Sequence, residues 1–134
     1  MSRPHAREAA MQLVFEQLFG GDGEEETLVD LIEYTPDRSE KEYIDRIVSG
    51  VHDHAEAIDK QIEACLKGWT LSRISKVDHA VLRLAVYEME YEKTAPGIVI
   101  NEAVELTRKY SSEATCGFVN GVLGTINRKM ASAE

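Results

Sequence analysis

Apolar residues recur along this chain at steps of three and four, and nowhere do they alternate over any length as a half-buried strand requires. The pattern predicts a first helix over about residues 4–19, with Ala6, Ala10, Leu13 and Val14 as its core stripe. Ser2 is placed to cap it, and Pro4 is tolerated in a first turn whose N–H groups have no helical partner. A second stripe, Met11, Phe15 and Leu18, is offset from the first, so this helix either sits deep in the core or meets a partner. Gly20-Gly21-Asp22-Gly23 ends it in a loop. Residues 24–34 read as a short acidic helix with Glu24, Glu25 and Glu26 at the positive end of its dipole, and Thr35-Pro36-Asp37 breaks the chain.

Ser39 is then expected to cap a long segment that buries Ile44, Ile47, Val48, Val51, Ala55, Ile58, Ile62 and Cys65. It reads as one helix or as two in succession, with a joint near Gly50 or residues 52–55, and Gly68 closes it. Trp69 is expected to plug the gap to the next helix. That helix opens at Ser75, with Asp78 three residues on as a variant of the capping box. Between Ala80 and Met89 only Arg83 and Glu88 are charged. A helix apolar almost all round must be surrounded by other helices, which makes this one the central strut of a bundle.

Beyond the break at Pro96-Gly97, a helix over residues 98–110 buries Val99, Ala103, Leu106 and Tyr110 and exposes Glu105 and Lys109 as an i,i+4 pair. The last helix buries Val119, Val122, Leu123, Ile126 and Met130. Its Gly121 and Gly124 each cost about 1 kcal/mol relative to Ala, so another backbone or a ligand is expected close by. The expectation is an all-α, single-domain helical bundle of six or seven helices over residues 1–134, with an N-terminal part of about 1–70 and a C-terminal part of about 71–134.

At 134 residues the chain is long enough for a sizeable core, and 43% apolar with 29% charged residues is a soluble globular composition. No apolar run approaches the roughly 20 residues that cross a bilayer, and the start has no secretory pattern. A cytoplasmic protein without membrane contact is expected, with Cys65 and Cys116 as ordinary buried thiols.

The charge is lopsided. Residues 1–70 hold 7 Lys/Arg against 16 Asp/Glu, while residues 71–134 hold 8 of each. An acidic first half repels nucleic acid at long range and favours a basic partner.

Catalytic patterns are missing: no Gly-rich phosphate loop, no GxSxG, no HExxH and no paired cysteines. His52 and His54 point to different faces of a helix, and His5 and His79 lack ligand-spaced neighbours, so all four are read as structural or solvated. Neither enzyme, metal site nor cofactor is expected. Two stretches remain as binding candidates. Arg3 and Arg7, one turn apart, could grip adjacent phosphates or be ordinary surface arginines. In Gly117-Phe118-Val119-Asn120-Gly121, Phe118 could stack on an unpaired base and Asn120 read a base edge, or the stretch could simply pack the start of a helix.

The wording VDHAVLRLAVYE (77–88), INEAVEL (100–106) and FVNGVL (118–123) resembles the NusB family of transcription antitermination factors. The likeness extends to Ala6-Arg7-Glu8-Ala9 with Gln12, to Val48-Ser49-Gly50-Val51 and to Trp69. It implies an all-helical bundle that catalyses no reaction. It also implies binding of boxA, a single-stranded stretch of ribosomal leader RNA, as a heterodimer with NusE, a small-subunit ribosomal protein, within the transcription elongation complex. Carried over by motif, Arg3, Arg7, Phe118, Asn120 and Gly121 would face RNA, and Phe15 and Asp78 would face the partner. A homodimer covering the RNA surface is also possible in such a family.

The chain departs from the family pattern at Pro4-His5, at Gly97-Ile98 before the INEA motif, and at Cys116-Gly117 before FVNG. Each is a place where the family carries basic or stacking side chains. Weak RNA binding by the chain alone is therefore expected, with the partner supplying much of the basic surface. An adaptor that keeps NusE but has lost most RNA binding is the alternative. A NusB-like domain also opens some RNA methyltransferases, but 134 residues leave no room for their cofactor-binding domain.

Overall fold

The structure, a computed structural model, describes residues 3–19, 36–68 and 70–133. Five α-helices account for most of them: α1 (Arg3–Gln17), α2 (Arg38–Glu63), α3 (Lys76–Glu90), α4 (Pro96–Tyr110) and α5 (Cys116–Ala133). Single 3-10 turns, Leu71–Arg73 and Glu113–Thr115, lead into α3 and α5. The described residues contain no strand, as the apolar spacing requires. The expected acidic helix over 24–34, the loop before it, the Ser2 cap and Trp69 lie outside the described residues.

The central-strut expectation for α3 holds: ten of its fifteen residues are buried, and it packs against all four other helices. Ser75 Oγ accepts the N–H of Asp78 at 3.0 Å and fixes where α3 begins. Lys93, at φ 55°, turns the chain at the far end, and the Thr94 N–H reaches back to the Glu88 carbonyl at 3.0 Å. Pro96 then opens α4, where a missing N–H is harmless.

The long second segment is one unbroken helix of 26 residues, so no joint exists at Gly50. Its cap is Asp37 and not Ser39. The Glu40 N–H donates to Asp37 Oδ1 at 2.8 Å while the Asp37 N–H donates to Glu40 Oε1 at 3.0 Å, a reciprocal pair that satisfies two helix-end donors. Ile44, Ile47, Ile58 and Ile62 are fully buried, each contributing about 1.5–3 kcal/mol. The helix ends at Glu63, before the expected Gly68, whose φ of +77° instead turns the loop beyond.

Both apolar stripes of α1 are inside. Met11 is buried with Ala6, Ala10, Leu13 and Val14, and Phe15 and Leu18 are half-buried against the same core.

Two polar clusters fasten helices to each other. Asp59 on α2 accepts Arg83 Nε at 2.9 Å and Nη2 at 2.6 Å, and His79 Nε2 at 2.8 Å. Burial works to raise the Asp59 pKa, but these hydrogen bonds and charges outweigh it and hold the carboxyl below its ordinary 3.8. His79 is therefore structural, as expected, through a partner twenty residues away in sequence. Glu8 on α1 receives Lys109 Nζ at 2.9 Å and the Tyr110 hydroxyl from α4, and Gln12 Nε2 donates to that hydroxyl at 3.0 Å. Lys109 thus reaches across to α1, while Glu105 pairs with Arg108, so the expected Glu105–Lys109 pair does not form.

A depressed carboxylate stabilises the fold above its unfolded pKa and stops doing so as pH falls through the folded value. Replacing Asp59 with Asn should cost about 1–3 kcal/mol at neutral pH. In urea titrations run from pH 7 downwards, the gap between parent and D59N should close below about pH 4. A gap that persists unchanged at pH 2 would contradict the assignment.

Candidate functional site

The first candidate patch is reorganised by a group that the sequence hides. Arg7 is only 8% exposed, and its Nε lies 3.0 Å from both oxygens of Glu88, itself 1% exposed. The Tyr43 hydroxyl of α2 donates to the same carboxylate. Three helices therefore meet at one buried carboxylate. The reading of Arg7 as half of an exposed arginine pair is corrected: its guanidinium is drawn inward by Glu88, a buried acid near the end of α3. The backbone of Arg3 opens α1, one turn before this junction.

Asp78 also differs from expectation. It is 2% exposed and accepts the Thr115 hydroxyl at 3.3 Å, which ties the start of α3 to the turn before α5. A carboxylate so enclosed is a brace between helices, not a contact offered to a basic surface. Phe15 is better placed. Its ring packs edge-on to Phe19 with centroids 5.0 Å apart, and Phe19 is 62% exposed. Lys76 Nζ lies 5.4 Å from the Phe19 ring, so the end of α1 and the start of α3 form one corner. Phe19 escaped the sequence reading, although its place four residues after Phe15 was the available signal.

The second patch is open. Phe118 is half-buried against the core, whereas Gly117, Asn120 and Gly121 are exposed. At about 100° per residue, Phe118 and Asn120 lie on opposite flanks of the exposed face of α5, with Gly117 and Gly121 between them. A Cβ at either glycine would meet nothing within 4 Å. The Cα side of both glycines is therefore open, although the Thr125 hydroxyl donates to the Gly121 carbonyl at 3.0 Å.

Along α3 the two patches are separated. Arg7 joins α3 at Glu88, near its end, while Thr115 joins it at Asp78, near its start. The ten-residue step between Asp78 and Glu88 spans about 15 Å. Among the described residues no group of His, Cys, Asp and Glu could hold a metal ion, and no helix is long and apolar enough to cross a membrane.

Residues 4–128 match the NusB family. The chain belongs to that family. The transcription antitermination protein NusB of Acetivibrio thermocellus is 44% identical over 137 residues, covering 100% of this chain and 94% of the relative. Among solved structures, NusB from T. maritima superposes with a TM-score of 0.84 at 35% identity, over 96% of this chain and 92% of that one. A crystal structure of the antitermination factors NusB and NusE in complex with dsRNA matches with a TM-score of 0.82 at 30% identity, over 96% of this chain and 99% of that one. The NusB fold therefore extends across almost the whole chain, and its family wording at 77–88 and 118–123 corresponds to α3 and the first turns of α5.

Proposed function

We propose that this NusB-family chain is a transcription antitermination factor that binds boxA-type leader RNA together with NusE, without catalysing a reaction. The observation that carries this reading is the full-length match to a NusB solved with NusE and RNA. On the chain itself, the exposed Asn120 and the bare backbone at Gly121, beside Phe118, support an RNA surface on α5, and Arg3 is added to it by the family motif alone. Arg7 acts by holding α1 in place. Phe15 and Phe19 form the apolar corner that receives the partner, and the acidic first half of the chain attracts a basic one.

The test is fluorescence anisotropy of a labelled boxA-type RNA, with and without NusE, at two salt concentrations. NusE should tighten binding at least tenfold, and Asn120→Ala, an exposed change, should weaken the ternary complex about fivefold or more. Equally tight binding by the isolated chain would refute the dependence on the partner. If NusE binds the chain and RNA affinity does not exceed that of NusE alone, the chain is an adaptor and the RNA surface is lost.

A further inference from the structure

Helix α5 is the only described helix without an aspartate or glutamate, in a chain that carries 24 of them. Its second half carries Arg128 and Lys129, both exposed and neither with a carboxylate partner among the described residues. These two cations and two hydroxyls, Thr125 and Ser132, share one open face of α5. Arg128 is folded back along the helix. Its Nη2 donates to Thr125 Oγ1 at 3.1 Å, and the Thr125 hydroxyl in turn donates to the Gly121 carbonyl at 3.0 Å. A Cβ at Gly124 would lie 3.5 Å from Arg128 Nη1, so the glycine leaves room for the guanidinium to lie flat.

From this geometry we infer that Thr125, Arg128, Lys129 and Ser132 form a phosphodiester-binding site that continues the RNA track beyond Phe118 and Asn120. Two cations with the Ser132 hydroxyl suit an oxyanion with several acceptor oxygens, while Thr125, whose own proton goes to the Gly121 carbonyl, holds Arg128 in place. The arginine is pre-oriented by Thr125, so little freedom is lost when it binds. Its direction matters too: the side chain points back towards Gly121, and a strand leaving the Phe118–Asn120 surface meets it about two turns on. Neither cation lies in the last turn of α5, so the helix dipole does not account for them. This site rests on the RNA-binding reading above and adds its phosphate contacts.

The experiment uses the full chain with NusE and boxA-type RNA, over a range of salt concentrations. Arg128→Gln with Lys129→Gln should reduce the slope of log affinity against log salt by about 1.4, since each single-strand phosphate contact contributes about 0.7. Near 0.1 M salt the affinity should fall about tenfold or more. Each single change should take about half of the slope, and Lys41→Gln with Lys60→Gln on α2, as a control, none. Addition of 20 mM inorganic phosphate at constant ionic strength should leave the parent unaffected; competition by it would instead mark a free-phosphate site and overturn the RNA assignment. A double variant that folds with the parent's Tm and keeps the parent's slope overturns the inference while leaving the functional reading intact. Failure of the parent complex to bind the RNA overturns both.

Discussion

Glu88→Ala should lower the stability of this protein by about 3–5 kcal/mol, read as a shift in the urea midpoint at unchanged slope. The carboxylate is enclosed by three helices and receives the Arg7 guanidinium and the Tyr43 hydroxyl. Its removal leaves the buried cation without a counter-charge and the phenol without its acceptor, and desolvation makes both costly. A domain of this size has a net stability of about 5–15 kcal/mol, so the loss is a large share of the whole. Arg7→Ala should cost a similar amount by stranding the carboxylate. The double change Arg7→Met with Glu88→Leu should recover much of the loss, because a buried ion pair is worth little more than well-packed apolar groups of similar size. Additive single effects would contradict the pairing.

The same junction decides which mutations report on RNA. A charge reversal at Arg7 looks from the sequence like a test of a phosphate contact. In the folded chain it would set a second carboxylate against Glu88, and lost RNA binding would then follow from a displaced or unfolded α1. Exposed positions such as Asn120, Arg128 and Lys129 separate recognition from folding.

The helices were legible because burial imposes a period. Ile44, Ile47, Val51, Ile58 and Ile62 fall on one stripe, and α3 is apolar on all sides because helices surround it. Polar pairing has no such period. Arg7 and Glu88 stand 81 residues apart, and neither differs in its local sequence from a surface charge. For the candidate residues, the motif gave positions but not which of them the fold would bury. Asn120 and Gly121 are exposed and Phe118 is half-buried, which leaves the proposed RNA contact open to them, while Arg7 and Asp78 are recruited into the scaffold by partners that only the fold supplies. The expected close neighbour of Gly121 and Gly124 is likewise no packed backbone: Gly121 is open, and Gly124 is covered by the Arg128 guanidinium.

Gly50 is the opposite case, a glycine whose neighbour is present. It lies inside α2, where a change to Ala ordinarily gains about 1 kcal/mol of helix propensity. Here the added Cβ would fall 2.2 Å from Tyr87 Oη and 2.3 Å from Cζ, far inside contact distance. The ring has little room to retreat: Tyr87 stacks on Tyr91 at 5.2 Å between centroids, and Tyr91 stacks on His54 at 4.1 Å. Gly50→Ala should therefore destabilise by about 1–3 kcal/mol, the usual cost of forcing a methyl group into a packed site. Tyr87 is buried, and burial raises its phenol pKa. The sign should invert when the obstacle is removed. In a Tyr87→Ala background, Gly50→Ala should become neutral or stabilising by up to about 1 kcal/mol, measured by urea titration of all four combinations. Equal destabilisation in both backgrounds would mean that Gly50 is required for a reason other than its contact with Tyr87.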